Sequence, residues 1–225
     1  MGRRIVTAVC AVLIAGGAAA ADWTEIVKFK GDLRYRHEVL DKDNDTQDAR
    51  NRQRLRARLT VEGKVNDATK VVVQVASGSD DPVSTNQTLG DAFSNKNVGI
   101  TWAYLELTPA SFPGLTLTAG KFENLFIRPG HSELLWDADL NPEGGALTLE
   151  REMDNVTLMA LGSGLWLQER SSGDDSWMAA GQGAARFHFN EKKSSVMLGA
   201  SFFNYVNVAG FEPFRAQLRR ALVDA

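Results

Sequence analysis

The sequence predicts an all-β chain, folded as an antiparallel barrel that crosses a membrane with strands. Three observations predict it. Long segments alternate strictly between apolar and polar residues, the connections between them are by turns short and long, and no segment after residue 21 is apolar enough for a helix to span a bilayer.

The first strand begins at Val27. Val27, Phe29, Gly31, Leu33 and Tyr35 fall on one face, and Lys28, Lys30, Asp32, Arg34 and Arg36 on the other. After a polar stretch from Asp41 to Asn51 the pattern returns. Leu55, Ala57, Leu59, Val61 and Gly63 now oppose Arg54, Arg56, Arg58, Thr60, Glu62 and Lys64. Two such strands should pair antiparallel. A soluble sandwich uses strands of five or six residues, with the apolar face inward. Runs of about ten residues instead match the length a tilted strand needs to cross a bilayer.

A third long strand joins Trp177, Ala179, Gly181, Gly183, Ala185, Phe187 and Phe189 on one face, against Met178, Ala180, Gln182, Ala184, Arg186 and His188. Its aromatics cluster towards both ends, as in the interfacial girdles of membrane barrels. Further strands are expected at 70–77, 98–108, 115–122, 146–151, 156–168 and 194–205, where both faces carry apolar residues and the outward one is not assigned. Long connections fall at about 38–51, 78–97, 122–145 and 169–176. Short ones fall at Val65–Thr69, Pro109–Gly114, Glu152–Asn155 and Asn190–Lys193. Short periplasmic turns and longer external loops alternate in this way in outer-membrane barrels, so the first strand should run outward.

Residues 1–21 read as an export leader. Arg3 and Arg4 form the positive end, Ile5 to Ala15 the apolar stretch, and Ala18–Ala21 a small-residue cleavage site. Cys10, the only cysteine, lies inside that stretch, so the mature chain should have no disulfide and no thiol chemistry. Removing the two leader arginines takes the formal charge from −3 to −5, which does not suggest nucleic acid as a partner.

The segment Trp136-Asp137-Ala138-Asp139-Leu140-Asn141-Pro142-Glu143-Gly144 follows the strand at 115–122, in the third external loop. Together with Gly31-Asp32-Leu33-Arg34-Tyr35-Arg36 and the arginine-rich run from Arg52 to Leu59, it resembles the putative-porin family of Gram-negative outer membranes, over residues 22–208. The resemblance implies a porin-type barrel in the cell outer membrane and a channel through which small polar solutes or ions diffuse passively. It also implies a third loop folded into the lumen as a constriction, with Trp136, Asp137, Asp139 and Glu143 in it. The alternation agrees: Lys28, Lys30, Arg34, Arg36, Arg54, Arg56 and Arg58 would line the pore as a basic wall. An acidic loop against that wall gives a transverse field, which orients dipolar solutes and biases ions.

Blander readings exist for each feature. The arginines could be a solvated face stapled by ion pairs, and the loop carboxylates an ordinary polar loop or a loose calcium site. No metal is expected. His37, His131 and His188 lie far apart, no hydrolase, zinc or phosphate-cradling motif appears, and no catalytic residue or cofactor is expected. Two rivals to a channel remain. One is an outer-membrane barrel enzyme or adhesin. The other is a secreted soluble β-sandwich binding module, which would hide Val27, Phe29, Leu33 and Tyr35.

The barrel is expected to be incomplete, with about nine strands and therefore unable to close alone, since single-chain bacterial barrels use even numbers. A homo-oligomer with complementary edges is one way to close it. Residues 209–225, with Glu212-Pro213 and then Phe214 to Leu222, read as an atypical tail with a short amphipathic helix, not a tenth strand. The domain reading is thus leader 1–21, partial barrel 22–208 and tail 209–225, with outer-membrane lipid as the surroundings.

Overall fold

The computed structural model describes residues 26–40, 49–79 and 81–209. The leader at 1–21 and the tail from residue 210 onward lie outside them. The described residues form one antiparallel sheet, built from β1 (Val27–Leu40), β2 (Arg50–Asn66), β3 (Thr69–Ser77), β4 (Gln87–Leu89), β5 (Val98–Leu107), β6 (Leu115–Lys121), β7 (Glu143–Met153), β8 (Val156–Gln168), β9 (Ser176–Phe189) and β10 (Ser194–Val206). The order is β1-β2-β3-β5-β6-β7-β8-β9-β10, each strand beside its sequence neighbour, with β4 paired to β2 off that path. Every strand read from the sequence is present. The addition is β4, a three-residue strand inside the second long connection. The sheet is open among the described residues, leaving one edge each of β1 and β10 without a strand partner.

The faces are inverted relative to a soluble protein. On β1, Phe29 is 61% exposed, Leu33 76% and Tyr35 64%. Across the strand pair, the side chains of Arg54 and Arg56 are only 16% exposed. A large apolar side chain left in water forgoes about 1.5–3 kcal/mol of burial, and contiguous exposed apolar surface of this kind marks a protein or membrane interface. The outer face continues with Val71, Val73, Leu105, Leu147, Leu149, Leu158, Leu198 and Phe202, all exposed. A soluble sandwich that hides Phe29, Leu33 and Tyr35 is therefore not what this chain forms.

Aromatics cap that band at both ends. Trp166 and Trp177 stand opposite each other in the β8–β9 register, and Phe187 stands opposite Val156 and Val196 near the far turn. Trp177 and Phe189 are twelve residues apart, roughly 40 Å along the strand and about 28 Å after a 45° tilt, close to the thickness of a bilayer's apolar band.

Two features explain why the sequence left the facing of β5 and β8 open. On β5 the register against β3 shifts between Gln74 and Val75, so Thr101 is a bulge. Ile100 stands opposite Val75 and Trp102 opposite Gln74, so the outward set changes from even to odd numbers at this point. On β8 and β9 the inner face is itself apolar. Leu161, Leu165, Met178 and Ala180 are buried there under a loop, joined by Ala146 of β7 and by Phe122 and Phe126 of that loop.

Candidate functional site

The loop is residues 122–142, between β6 and β7, and it lies against the charged inner face. Gly120 and Gly144 face each other in the β6–β7 register at its base. Both have a positive φ, 126° and 148°, and a Cβ on either would meet a backbone oxygen within 2.3 Å. Only glycine permits the strands to turn there. Phe122 N–H closes the base by donating to Pro142 O at 3.0 Å.

One side of the loop is anchored on β8–β10 by apolar packing. Trp136 stacks on Phe126 at 5.5 Å, and both meet Phe203 of β10 edge-on at 5.5 and 5.2 Å. Gln182 of β9 grips the loop backbone with its amide, accepting from Ile127 N–H at 2.6 Å and donating to Ile127 O at 3.0 Å. The other side is polar and meets β2 and β5. Asp139 lies 3.8 Å from Arg58, and Trp102 Nε1 donates to Asn141 at 2.7 Å. Trp136 and Asp139 are three residues apart, at most about 11 Å of chain. They nevertheless reach strands seven places apart in the sheet order, which would lie roughly 34 Å apart in a flat sheet. The sheet is therefore curled around the loop.

Between the loop and the β1–β5 wall lies an open cleft of about 420 Å³, with Lys30, Asp32, Arg58 and Glu62 on one side and Asp139 and Asn141 on the other. Above it the register places arginines opposite one another. Arg36 pairs with Arg54 and Arg34 with Arg56, flanked by the mixed pairs Glu38–Arg52 and Asp32–Arg58. Like charges directly opposite on a sheet are destabilising. Two carboxylates offset this. Asp32 accepts from Arg56 at 3.2 and 3.0 Å and from Arg58 at 2.9 and 2.5 Å. Glu38 lies 3.0 Å from Arg52, 3.4 Å from Arg36 and 3.7 Å from Arg54.

The sequence-predicted residues are thus partly brought together. Lys28, Lys30, Arg34, Arg36, Arg54, Arg56 and Arg58 share one face, with Lys30 tied to Glu62 at 2.6 Å and Lys28 beside a second, smaller cleft near the β2–β3 turn. Asp139 meets that wall. Asp137 instead uses its carboxylate within the loop, accepting from Asp139 N–H at 2.7 Å. Glu143 does not belong to the loop. It is the first residue of β7 and pairs with Lys121 at 2.7 Å, on the face opposite that of Ala146. Of these three carboxylates only Asp139 lies within ion-pair distance of an arginine of the wall among the described residues. Arg52, Glu38 and Gln182 were not singled out from the sequence, although each continues an even-numbered face already read. Asn86 and Ser84, which contact the arginines from the second long connection, gave no signal in the sequence.

A family model described as putative porin matches residues 39–220. The chain belongs to the putative porin family. The match runs from the end of β1 through β10 and includes the inner loop. No curated protein matches the chain. Within this porin-family sheet His37 contacts Gln53 and His188 contacts Thr157, on different strand pairs. Among the described residues no three His, Cys, Asp or Glu side chains gather as a metal site.

Proposed function

We propose that this protein works as a porin-like channel of the cell outer membrane, through which small polar solutes and ions diffuse passively. The observation that carries the reading is the inversion of the two faces. Leu33 and Phe29 stand exposed while Arg54 and Arg56 are sheltered on the face that also holds the loop. An outer face of that kind is at rest in lipid, and an inner face of that kind needs water. Lys28, Lys30, Arg34, Arg36, Arg54, Arg56 and Arg58 then form the basic pore wall. The loop with Trp136, Asp137 and Asp139 narrows the path, and Glu143 marks its rim. Diffusion along the wall needs no covalent chemistry, so the leader's role is export and the partners are lipid and solute.

Loop anchoring on β8–β10 pushes the open path towards β1–β5. A permeating ion would meet arginines on one side and Asp139 and Asn141 on the other. With Asp137 turned into the loop, the wall dominates, and the channel should prefer anions. The experiment is reversal potential in a salt gradient across a planar bilayer, using full-length protein purified from membranes. Anion preference is expected, with a shift towards cations when Arg54, Arg56 and Arg58 are all changed to Gln. No current above lipid background would contradict the channel, and unchanged selectivity would remove these arginines from the path.

A further inference from the structure

We infer that Arg34, Arg36, Arg54 and Arg56, covered by Asn86 and Ser84, form a binding station for small oxyanions. The register puts the Cα atoms of these four arginines on two adjacent rungs, about 5 Å across and about 7 Å along the strands, with their side chains on one face. The carboxylates lie outside the square, Glu38 on the rung above and Asp32 on the rung below. Counting the flanking rungs, six arginines (34, 36, 52, 54, 56 and 58) share Glu38, Asp32 and Asp139, an excess of three positive charges among the described residues. Arg34 is the extreme case, because among the described residues it has no carboxylate within ion-pair distance.

Donors are in excess as well as charge. The Nε–H groups of Arg34, Arg36, Arg52 and Arg54 are buried and have no acceptor among the described residues, against one buried carboxylate oxygen without a hydrogen-bond partner, Glu38 Oε2. A buried donor without an acceptor is unfavourable, more so when charged, and four such donors against one such oxygen leave the cluster short of acceptor atoms. Glu38 reaches Arg36 and Arg54, and Asp32 reaches Arg56, from the flanking rungs, whereas the cover over Arg34 and Arg54 is neutral. Arg34 Nη2 donates to Asn86 Oδ1 at 2.7 Å, and Arg54 Nη2 donates to Asn86 O at 3.2 Å and Ser84 Oγ at 3.5 Å. These two residues are held in place because β4 pairs with β2 at Gln53–Leu55, alongside the arginines. The second long connection thus folds back to cover the square without neutralising it.

The ligand class follows from donor shape. A guanidinium offers paired, coplanar N–H groups that match two oxygens on one atom, as in carboxylate, phosphate or sulfate, better than a spherical halide. Such a station would concentrate these anions at the entrance of the path while leaving them exchangeable. The inference takes its transport role from the channel reading, but the binding itself is measured separately.

The test is calorimetric titration of sodium acetate, phosphate and sulfate into the full-length protein folded in detergent, with chloride holding the ionic strength. Saturable binding of at least one oxyanion is expected, and the strongest of the three identifies a carboxylate or a tetrahedral dianion as the natural class. Binding should weaken tenfold or more in R34Q/R54Q. It should weaken similarly in N86D, which keeps every arginine but supplies an internal carboxylate, with circular dichroism confirming the strands in both. Absence of saturable binding, or binding unaltered in both variants, overturns the station. Bilayer current separates the two claims. Binding without current would keep the site and refute the channel, whereas current without saturable binding would refute the site alone.

Discussion

Gln182 holds the loop by satisfying both backbone groups of Ile127, and its Nε2 also donates to Ser201 Oγ at 2.9 Å. Changing it to Ala leaves a part-buried N–H and C=O without partners, at a cost of about 1–3 kcal/mol localised to the loop. Hydrogen exchange at the Ile127 amide should then accelerate by tenfold or more while the strand amides keep their protection, and unchanged exchange at 127 would show that apolar packing alone fixes the loop. The position of Gln182 on the inner face was legible from alternation, as were those of all five arginines named from the sequence. Its partner was not, because a loop backbone has no periodicity. The same limit applies to Asn86 and Ser84, which approach Arg34 and Arg54 from a separate part of the chain, and to Asp137, whose Oδ1 accepts from Asp139 N–H within its own turn.

The β5 strand shows what a single extra residue does. Thr101 bulges, and its hydroxyl donates to Gln74 Oε1 at 2.8 Å on the inner face. Because of it Val98 and Ile100, 68% and 60% exposed, face out together with Leu105. Deleting Thr101 should leave every other side chain on its present face, because Ile100 and Trp102 would then follow each other as their partners Val75 and Gln74 do. Inserting one alanine after Ala103 should instead force the rest of β5 to the wrong face, since a one-residue shift exchanges every side chain across a sheet. Folding yield in detergent, followed by circular dichroism, should survive the deletion and collapse on the insertion, and the opposite result would contradict the assigned register. Strand existence and the short-and-long rhythm of connections were readable because they depend on local pattern. Facing in β5 was not, because the bulge breaks the period. In β8 it was obscured because Leu161 and Leu165 are apolar for the loop's sake, not for lipid.

At the scale of the whole molecule, the apolar outer face and the open sheet make linked demands. Unpaired backbone groups on β1 and β10 would cost several kcal/mol each in hydrocarbon, so a conducting species needs both edges paired. Cross-linking in membranes should therefore find that species larger than one chain. A conducting monomer would mean that residues outside the described ones close the sheet. The central claim is the inversion itself, that lipid meets the Phe29–Leu33–Leu59 face and water meets the arginine face. It is tested most directly by single-cysteine spin labels along β1 and β2 of the protein in lipid vesicles, made in a Cys10→Ser background since Cys10 is the only cysteine. Collision rates with oxygen, which partitions into lipid, should be high at 29, 33, 57 and 59. Collisions with a water-soluble nickel complex should be high at 34, 36, 54 and 56, giving a period of two with opposite phase for the two reagents. The reverse phase, or equal water access on both faces, would contradict it.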